Sequence, residues 1–353
     1  MIDFTTTYLG KTLANPIVCS SSPLTQDFDT IRRLEDAGIG AIVMHSLFEE
    51  QINLESLDLH YHLEAGAESN AEATNYFPDM RDYNTGPDGY LEMIRRSKAA
   101  VGVPIIGSLN GTTRGGWIRY AKEMQEAGAD AIELNVYDIP TNPNVTSEQV
   151  ERYMIDLVRD VKSRLSVPLA VKIGSFFTAP ANLVKRLHEA GAAGVVLFNR
   201  FYQPDLDIDN LDVSHHHRFS NSEELLPRLH WAAILFGRVP IDIAITGGVH
   251  TARDILKCMM AGANVAMATS ALMKHGVSHV RQLLTDLRHW MHEHEYSSIG
   301  QMRGSLSLRR VPDPTAYERG NYMQVLRRQA TATQAYEWSR WALMNIEPRH
   351  QVD

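Results

Sequence analysis

The sequence predicts a closed parallel barrel of eight strands alternating with helices, the (β/α)8 TIM-barrel class, and three observations lead there. An Ala-Gly pair recurs at Ala37-Gly38, Ala127-Gly128, Ala190-Gly191 and Ala261-Gly262, each time closing a helical pattern ahead of an apolar strand: GAIVMHS, AIELNVY, GVVLFNR and VAMATSA. Three further strands open on Val-Pro, at Val103-Pro104, Val167-Pro168 and Val239-Pro240, before IIGSLNG, LAVKIGS and IDIAITGG. All are short, β-branched and apolar without alternation, as strands covered on both faces should be. With Pro16-Ile17-Val18-Cys19 as the first strand the count is eight, and eight such strands separated by helices close on themselves.

Taken in order, the helices are expected over Phe28–Ala37, Trp117–Ala127, Ser147–Leu165, Pro180–Ala190, Leu225–Phe236 and Thr251–Ala261, with a further one after the eighth strand. Thr146-x-x-Gln149 resembles a capping box ahead of the longest. Thr251 can cap a helix whose apolar positions Ile255, Met259 and Met260 recur at helical spacing, and Gly262 ends it. Three segments exceed a minimal barrel. Residues 49–89 form a long insertion after the second strand, rich in Glu, Asn and Tyr, expected to project over the active-site mouth as a lid or substrate wall. Residues 202–222 carry Asp205, Asp207, Asp209 and His215-His216-His217, which invites a metal reading; the spacing fits no standard site, so a mobile polar loop without metal is expected. Residues 305–353 follow the barrel of residues 1–304, and Tyr322, Val325, Leu326, Trp338, Trp341 and Leu343 suggest helices packing on the barrel or on a second subunit.

Bulk properties narrow the function. The chain has 353 residues, a formal net charge of −8 and 44% hydrophobic residues, enough for one large domain. An acidic balance without a basic block argues against nucleic acid, whose phosphates require clustered Lys and Arg. The two cysteines, Cys19 and Cys258, are too few for an iron–sulfur cluster or a disulfide framework, and suit a reducing cytoplasm. Neither a leader peptide nor an apolar run of about 20 residues is visible, so no membrane association is expected.

In such a barrel the reactive groups sit at the carboxyl ends of the strands. Those ends read Ser20-Ser21, His45-Ser46, Ser108 with Asn110, Asn135 with Asp138, Lys172, Asn199-Arg200, Gly247-Gly248 and Thr269-Ser270. Amides and hydroxyls on nearly every strand suit a planar heterocycle with several donor and acceptor edges, such as a flavin. Gly247-Gly248 and Thr269-Ser270, on adjacent strands, offer backbone N–H groups to a phosphate; the alternative is a tight turn and a helix cap. Lys172 beside a flavin can stabilise the negative charge of the reduced ring, or it can simply pair with Glu133 inside the barrel.

LANPIVCSSS, Glu133-Leu134-Asn135 leading into a Pro/Asn loop, AVKI around Lys172, LFN at Asn199, ITGGV and TSAL together resemble the dihydroorotate dehydrogenases, nearest their cytosolic class 1 branch, over residues 8–306. The resemblance implies FMN, with its phosphate at Thr246-Gly247-Gly248 and Thr269-Ser270. It also implies a ring near Ser20, Ser21, Ser46, Asn110, Asn135 and Lys172, and substrate amides held by Asn135 and Asn199, with Asn142 in the same loop. Departures fall mainly on the substrate side. The family's Asn-Leu-Ser-Cys-Pro-Asn, whose Cys is the base, is here Asn135-Val136-Tyr137-Asp138-Ile139-Pro140-Thr141-Asn142. Asp138 stands in the place of the Cys and can act as base if burial raises its pKa, with Tyr137 orienting it, or it can cap its own turn. The family's Lys after the second strand is His45, which can donate to the flavin or relay a proton. Arg200 follows Asn199 where the family has Ser; it can bind a substrate carboxylate or turn out to Asp205 and Asp207. Ser220-Asn221-Ser222-Glu223 replaces a glycine-rich phosphate loop, and Asn75 is the nearest candidate for a substrate Asn in the insertion.

The expected activity is therefore FMN-dependent oxidation of (S)-dihydroorotate to orotate in pyrimidine biosynthesis, with a soluble acceptor or a separate redox protein taking the electrons, and a homodimer as the assembly. Two alternatives stay open. One is an FMN barrel acting on another cyclic amide or an unsaturated acid; the other is a barrel that binds a phosphorylated ligand without redox chemistry.

Overall fold

The computed structural model describes residues 2–49, 52, 87–111, 113–136, 138–200, 205–214 and 219–318. Its centre is a closed parallel barrel of β3 (Ile17–Cys19), β4 (Ala41–Phe48), β5 (Ile105–Asn110), β6 (Ala131–Asn135), β7 (Leu169–Ile173), β8 (Gly194–Leu197), β11 (Asp242–Thr246) and β12 (Val265–Ala268), with β12 closing onto β3. Around it pack α1 (Phe28–Asp36), α2 (Pro87–Ala100), α3 (Arg114–Glu126), α4 (Ser147–Lys162), α5 (Pro180–Glu189), α6 (Leu226–Leu235) and α7 (Ala252–Ala261). Short α8 (Ser270–His275), α9 (His279–Glu293) and α10 (Ile299–Met302) complete the barrel. The eight expected strands are the eight observed.

Strand alternation sorts the buried residues into two clusters. Ile17, Cys19, Ile42, Leu134, Val171, Val195 and Ile243 face out and pack under the helices. Val18, Ala41, Val43, Ile106, Ala131, Ala170, Val196, Ala244, Val265 and Met267 face the lumen. The same alternation carries Ser20, Ser108, Glu133, Asn135, Lys172 and Thr246 into the inward register one or two steps closer to the carboxyl ends, while a register shift in β4 between Val43 and Ser46 sets Ser46 opposite Ser108. A hairpin of β1 (Thr6–Tyr8) and β2 (Lys11–Leu13) plugs the opposite end, putting Tyr8, Leu9 and Leu13 into the lumen cluster. Leu9 N–H donates to Asp242 Oδ2 at 2.7 Å, and a Cβ on Gly194 would lie 2.7 Å from Leu9 Cδ2, so glycine is what lets the plug seat. No sequence signal announces this hairpin, because three-residue strands are too short for a pattern.

The caps follow the sequence closely. Thr146 with Gln149, and Thr251 with Asp254, form capping boxes, and Gly262 ends α7 at a φ of 116°. Three boundaries need correction. α2 begins at Pro87, inside the expected insertion, whose patterned end is therefore helix and not lid. Glu49, the insertion's first expected residue, is 5% exposed and accepts from Thr113 N at 2.8 Å and Thr113 Oγ1 at 2.5 Å, so it fastens the barrel and does not project from it. The segment expected as a plain polar loop folds in part as an antiparallel hairpin, β9 (Asp205–Asp207) with β10 (Asp212–Ser214), turned at Asp207, whose carboxylate accepts from Asp209 and Asn210. Asp alternating with Leu206, Ile208 and Val213 disguised these strands as loop. Beyond α10, residues 305–318 lie against the barrel, with Leu308 N–H donating to Ala233 O and Leu306 N–H to Met260 O. Tyr322, Val325, Leu326, Trp338, Trp341 and Leu343 lie outside the described residues, as do His215, His216 and His217. Among the described residues, no helix is long and apolar enough to cross a membrane.

Candidate active site

Eight strand ends converge at one mouth of the barrel, and their small polar residues form two connected groups. On the β3–β5 side the hydroxyls of Ser21, Ser46 and Ser108 run in a row, with Oγ separations of 3.1 and 2.8 Å. Tyr90 of α2 anchors the row: its hydroxyl accepts from Ser108 N–H at 3.0 Å and donates to Ser108 O at 3.2 Å. Burial pushes the Tyr90 phenol well up, so it stays a neutral clamp. His45 stands edge-on to Tyr90, ring centroids 4.8 Å apart, with Nδ1 at 3.3 Å from Thr25 O. Desolvation lowers its pKa, so the imidazole is neutral at neutral pH and supplies no fixed positive charge. Ser20, buried, reaches Thr246 Oγ1 at 3.1 Å and so joins the first strand to the seventh. Asn110, half-buried, ends β5 beside them.

The second group is made by β6, β7 and the residues after β8. Asn199 Nδ2 donates to Asn135 Oδ1 at 2.7 Å, which fixes the orientation of both amides and leaves the Asn135 NH2 and the Asn199 carbonyl oxygen for a ligand. Lys172 lies beside Asn135 in the β6–β7 register, nearly buried, with Nζ 4.0 Å from Glu133 Oε1. This is the pairing expected as one reading of Lys172, and it coexists with a position at the mouth. Burial raises the Glu133 carboxyl and Lys172 pulls it back.

The ends of β11 and β12, where a phosphate site is expected, bring two glycines and two hydroxyl residues together. Gly247 and Gly248 both have left-handed backbones, φ 84° and 87°. A Cβ would sit 2.9 Å from Arg228 Nη2 at the first and 2.6 Å from Leu225 N at the second, so neither place admits a side chain. Without side chains, the two glycines leave the backbone N–H groups at this strand end open to a close approach. Thr269 makes no side-chain cap to α8, and Ser270 Oγ instead accepts from Ser220 N–H at 3.2 Å. In place of a glycine loop, Ser220 Oγ meets His250 Nε2 at 2.9 Å, and Ser222 Oγ donates to Asp254 Oδ2 at 2.8 Å. Lys274 Nζ reaches Ser220 O at 3.5 Å, bringing a cation to the rim.

Arg228 was not singled out in the sequence. From α6 its Nε donates to Thr246 O at 2.6 Å, and an Nη contacts Glu224 O, so it braces the strand that leads into the two glycines. An arginine in the apolar run LLPRLHWAAIL is the available signal, since it is 8% exposed on a helix that packs against the barrel. Arg200, expected to bind a substrate carboxylate or turn to Asp205 and Asp207, has its Nη2 3.4 Å from Glu224 Oε1. Asn142 is exposed and accepts from Asn144 N–H at 3.0 Å, shaping its own loop. Asp138 is also exposed. Asn75 and Tyr137 lie outside the described residues.

A dihydroorotate dehydrogenase family model matches residues 81–291. Among curated proteins, the chain is similar to the dihydroorotate dehydrogenase B (NAD(+)) catalytic subunit of Thermoplasma acidophilum, 24% identical over 314 residues, 86% of this chain and 99% of that one. It is 25% identical over 304 residues to the protein of the same name in Pyrococcus abyssi, covering 84% and 96% of the two chains. It is also similar to the NAD-dependent dihydropyrimidine dehydrogenase subunit PreA of Escherichia coli K12, 23% identical over 343 residues, 88% of this chain and 78% of that one.

Proposed function

The chain belongs to the dihydroorotate dehydrogenase family, and from that premise we propose that it is an FMN-dependent oxidoreductase that converts (S)-dihydroorotate to orotate in pyrimidine biosynthesis. The observation that carries this reading is the placement of the Asn135–Asn199 amide pair, the Lys172 ammonium and the paired-glycine cup at one mouth of the barrel. The residues present fit FMN: the two glycines leave a cradle that a Cβ would fill, and the buried hydroxyls and amides supply neutral donors and acceptors for a ring. Thr246, Gly247, Gly248, Thr269 and Ser270 would hold the phosphate. Ser20, Ser21, Ser46, Asn110, Asn135 and Lys172 would hold the ring. Bound there, FMN supplies the hydride acceptor.

The protein's own groups then have simple tasks. Asn135 and Asn199, each fixed by the other, present one NH2 and one carbonyl oxygen to the complementary amide edge of the substrate ring. A base removes the proton next to a carbonyl of the substrate, and Asp138 is our assignment, its carboxylate being desolvated as substrate covers it. Lys172 places positive charge where negative charge develops. His45, neutral, is left as a hydrogen-bond donor at the ring edge.

Similarity to a dihydropyrimidine dehydrogenase subunit favours one second reading: a dihydropyrimidine lacking the carboxylate as substrate. In both, a separate redox protein or a soluble acceptor takes the electrons, in keeping with relatives named as subunits, and we expect a homodimer. The test is the visible spectrum of the purified protein without air, before and after dihydroorotate and then dihydrouracil. Flavin absorbance that bleaches with dihydroorotate supports the first reading, and bleaching with dihydrouracil alone the second. A protein that binds no FMN after reconstitution overturns both.

A further inference from the structure

Beneath the polar row at the mouth, the lumen holds a carboxyl group without a hydrogen bond. Glu133 is 1% exposed, and neither of its oxygens has a partner. A buried carboxylate is normally bonded several times over, because leaving it desolvated and unpaired is among the costlier states in a fold. The hydroxyl of Tyr8, rising from the plug, is likewise buried and unbonded.

Among the described residues, few groups face Glu133. From β7 comes Lys172, its ammonium 4.0 Å away, too far for a good hydrogen bond and near enough for strong attraction between buried groups. From below comes Tyr8, whose phenol is held neutral by burial and by the charges of Glu133 and Asp242. From α2 comes Tyr90, already committed to the Ser108 backbone. Asp242 on β11 is occupied by Leu9 N–H and by the Asn264 amide. Protonation of Glu133 is thus decided by two opposed effects, desolvation against Lys172. Any second anion brought beside Lys172 competes for the same ammonium and tips the balance.

We propose that Glu133 is the proton-holding counter-group of Lys172, ionised while the pocket above carries no negative charge and protonated when electrons reaching a bound flavin put negative charge beside Lys172. The proposal rests on the flavin reading of the site. Two electrons arrive with the hydride from the substrate ring. One proton comes from solvent and forms an O–H bond on Glu133, and no protein bond breaks. The ammonium is left uncompensated just when the flavin needs it. Glu133 is a positioning residue, acting through Lys172.

The experiment is a redox titration of the FMN-loaded full chain over roughly pH 6 to 9, for the native protein, E133Q, E133D and K172M. The native protein should show a stretch in which one additional proton accompanies each two electrons, a tenfold shift of the reduction equilibrium per pH unit, or about 30 mV. E133Q should lose that stretch, and E133D should keep it at a displaced pH. A Gln variant whose curve follows the native one overturns the proposal. K172M separates the two layers: if it moves the potential and E133Q does not, only the role of Glu133 falls. If neither moves it, Lys172 does not face the flavin and the site reading falls as well. Should E133Q fail to retain flavin, E133D decides, and an Asp curve that coincides with the native one counts against Glu133.

Discussion

At the scale of single residues, the mouth is lined largely by neutral groups held in fixed orientation, with the Lys172 ammonium among them. The Asn135–Asn199 bond, the Ser21–Ser46–Ser108 row and the Tyr90 clamp each commit one face of a polar group and leave another free. Such preorganisation lowers the cost of ordering when a ligand arrives. Asp138 is the exception, exposed at the loop after β6. If it is the base, Asp138→Asn should slow flavin reduction by substrate about a hundredfold or more while flavin content stays at the native level. Stopped-flow bleaching checks this, and an unchanged rate returns Asp138 to the loop. The expectation that Asp138 stands where the resembled family has a cysteine came from order along the chain. That it lies open to solvent was not legible there, because exposure depends on what the neighbouring loops cover.

At the scale of elements, the proposed phosphate cup depends on backbone conformation more than on side chains. Gly248 combines a left-handed φ of 87° with backbone N of Leu225 2.6 Å from where a Cβ would lie. Gly248→Ala should therefore push β11 and the turn before α6 apart, costing about 1 kcal/mol or more in urea unfolding. FMN should be lost on gel filtration of this variant, whereas a fully loaded, equally stable Ala variant would show that the turn relaxes and that the cup lies elsewhere. The sequence announced the glycines but not their opponents. Leu225 and Arg228 meet Gly248 and Gly247 from about twenty residues upstream, and nothing in local pattern reports such an encounter. The hairpin of β9 and β10 escaped for another reason: its alternation of Asp with exposed Leu, Ile and Val reads as loop until pairing is seen.

At the scale of the molecule, the amino end of the barrel is tied by carboxylates that gather distant segments. Asp130 joins Lys98 of α2 at 2.6 Å, Lys11 of the plug at 3.4 Å and the backbone N–H of Ile105 at 2.9 Å. Burial alone would raise its carboxyl, but these partners together hold it below the ordinary 3.8. A depressed carboxyl contributes stability that is fully present above the unfolded value and is lost as the pH falls through the folded one. Asp130→Asn should accordingly lower the urea midpoint at pH 7 and cost progressively less as the medium is acidified below 3.8. A gap between the two proteins that stays constant with pH would rule the linkage out.

The sequence by itself determined the barrel, the order of its strands, the caps at Thr146, Thr251 and Gly262, and the set of polar residues at the strand ends. These are consequences of local patterning: apolar runs, helix spacing, cap chemistry and the rule that parallel strands expose only their ends. Only the tertiary structure decided which of those residues meet. Asn199 found Asn135 64 positions earlier, Tyr90 took charge of Ser108, Arg200 turned to Glu224, and Glu133 was left in the lumen with Lys172 and no hydrogen bond. Closure of the barrel brings distant strands into register, and inside it the costs of desolvation, absent from any single segment, choose the partners.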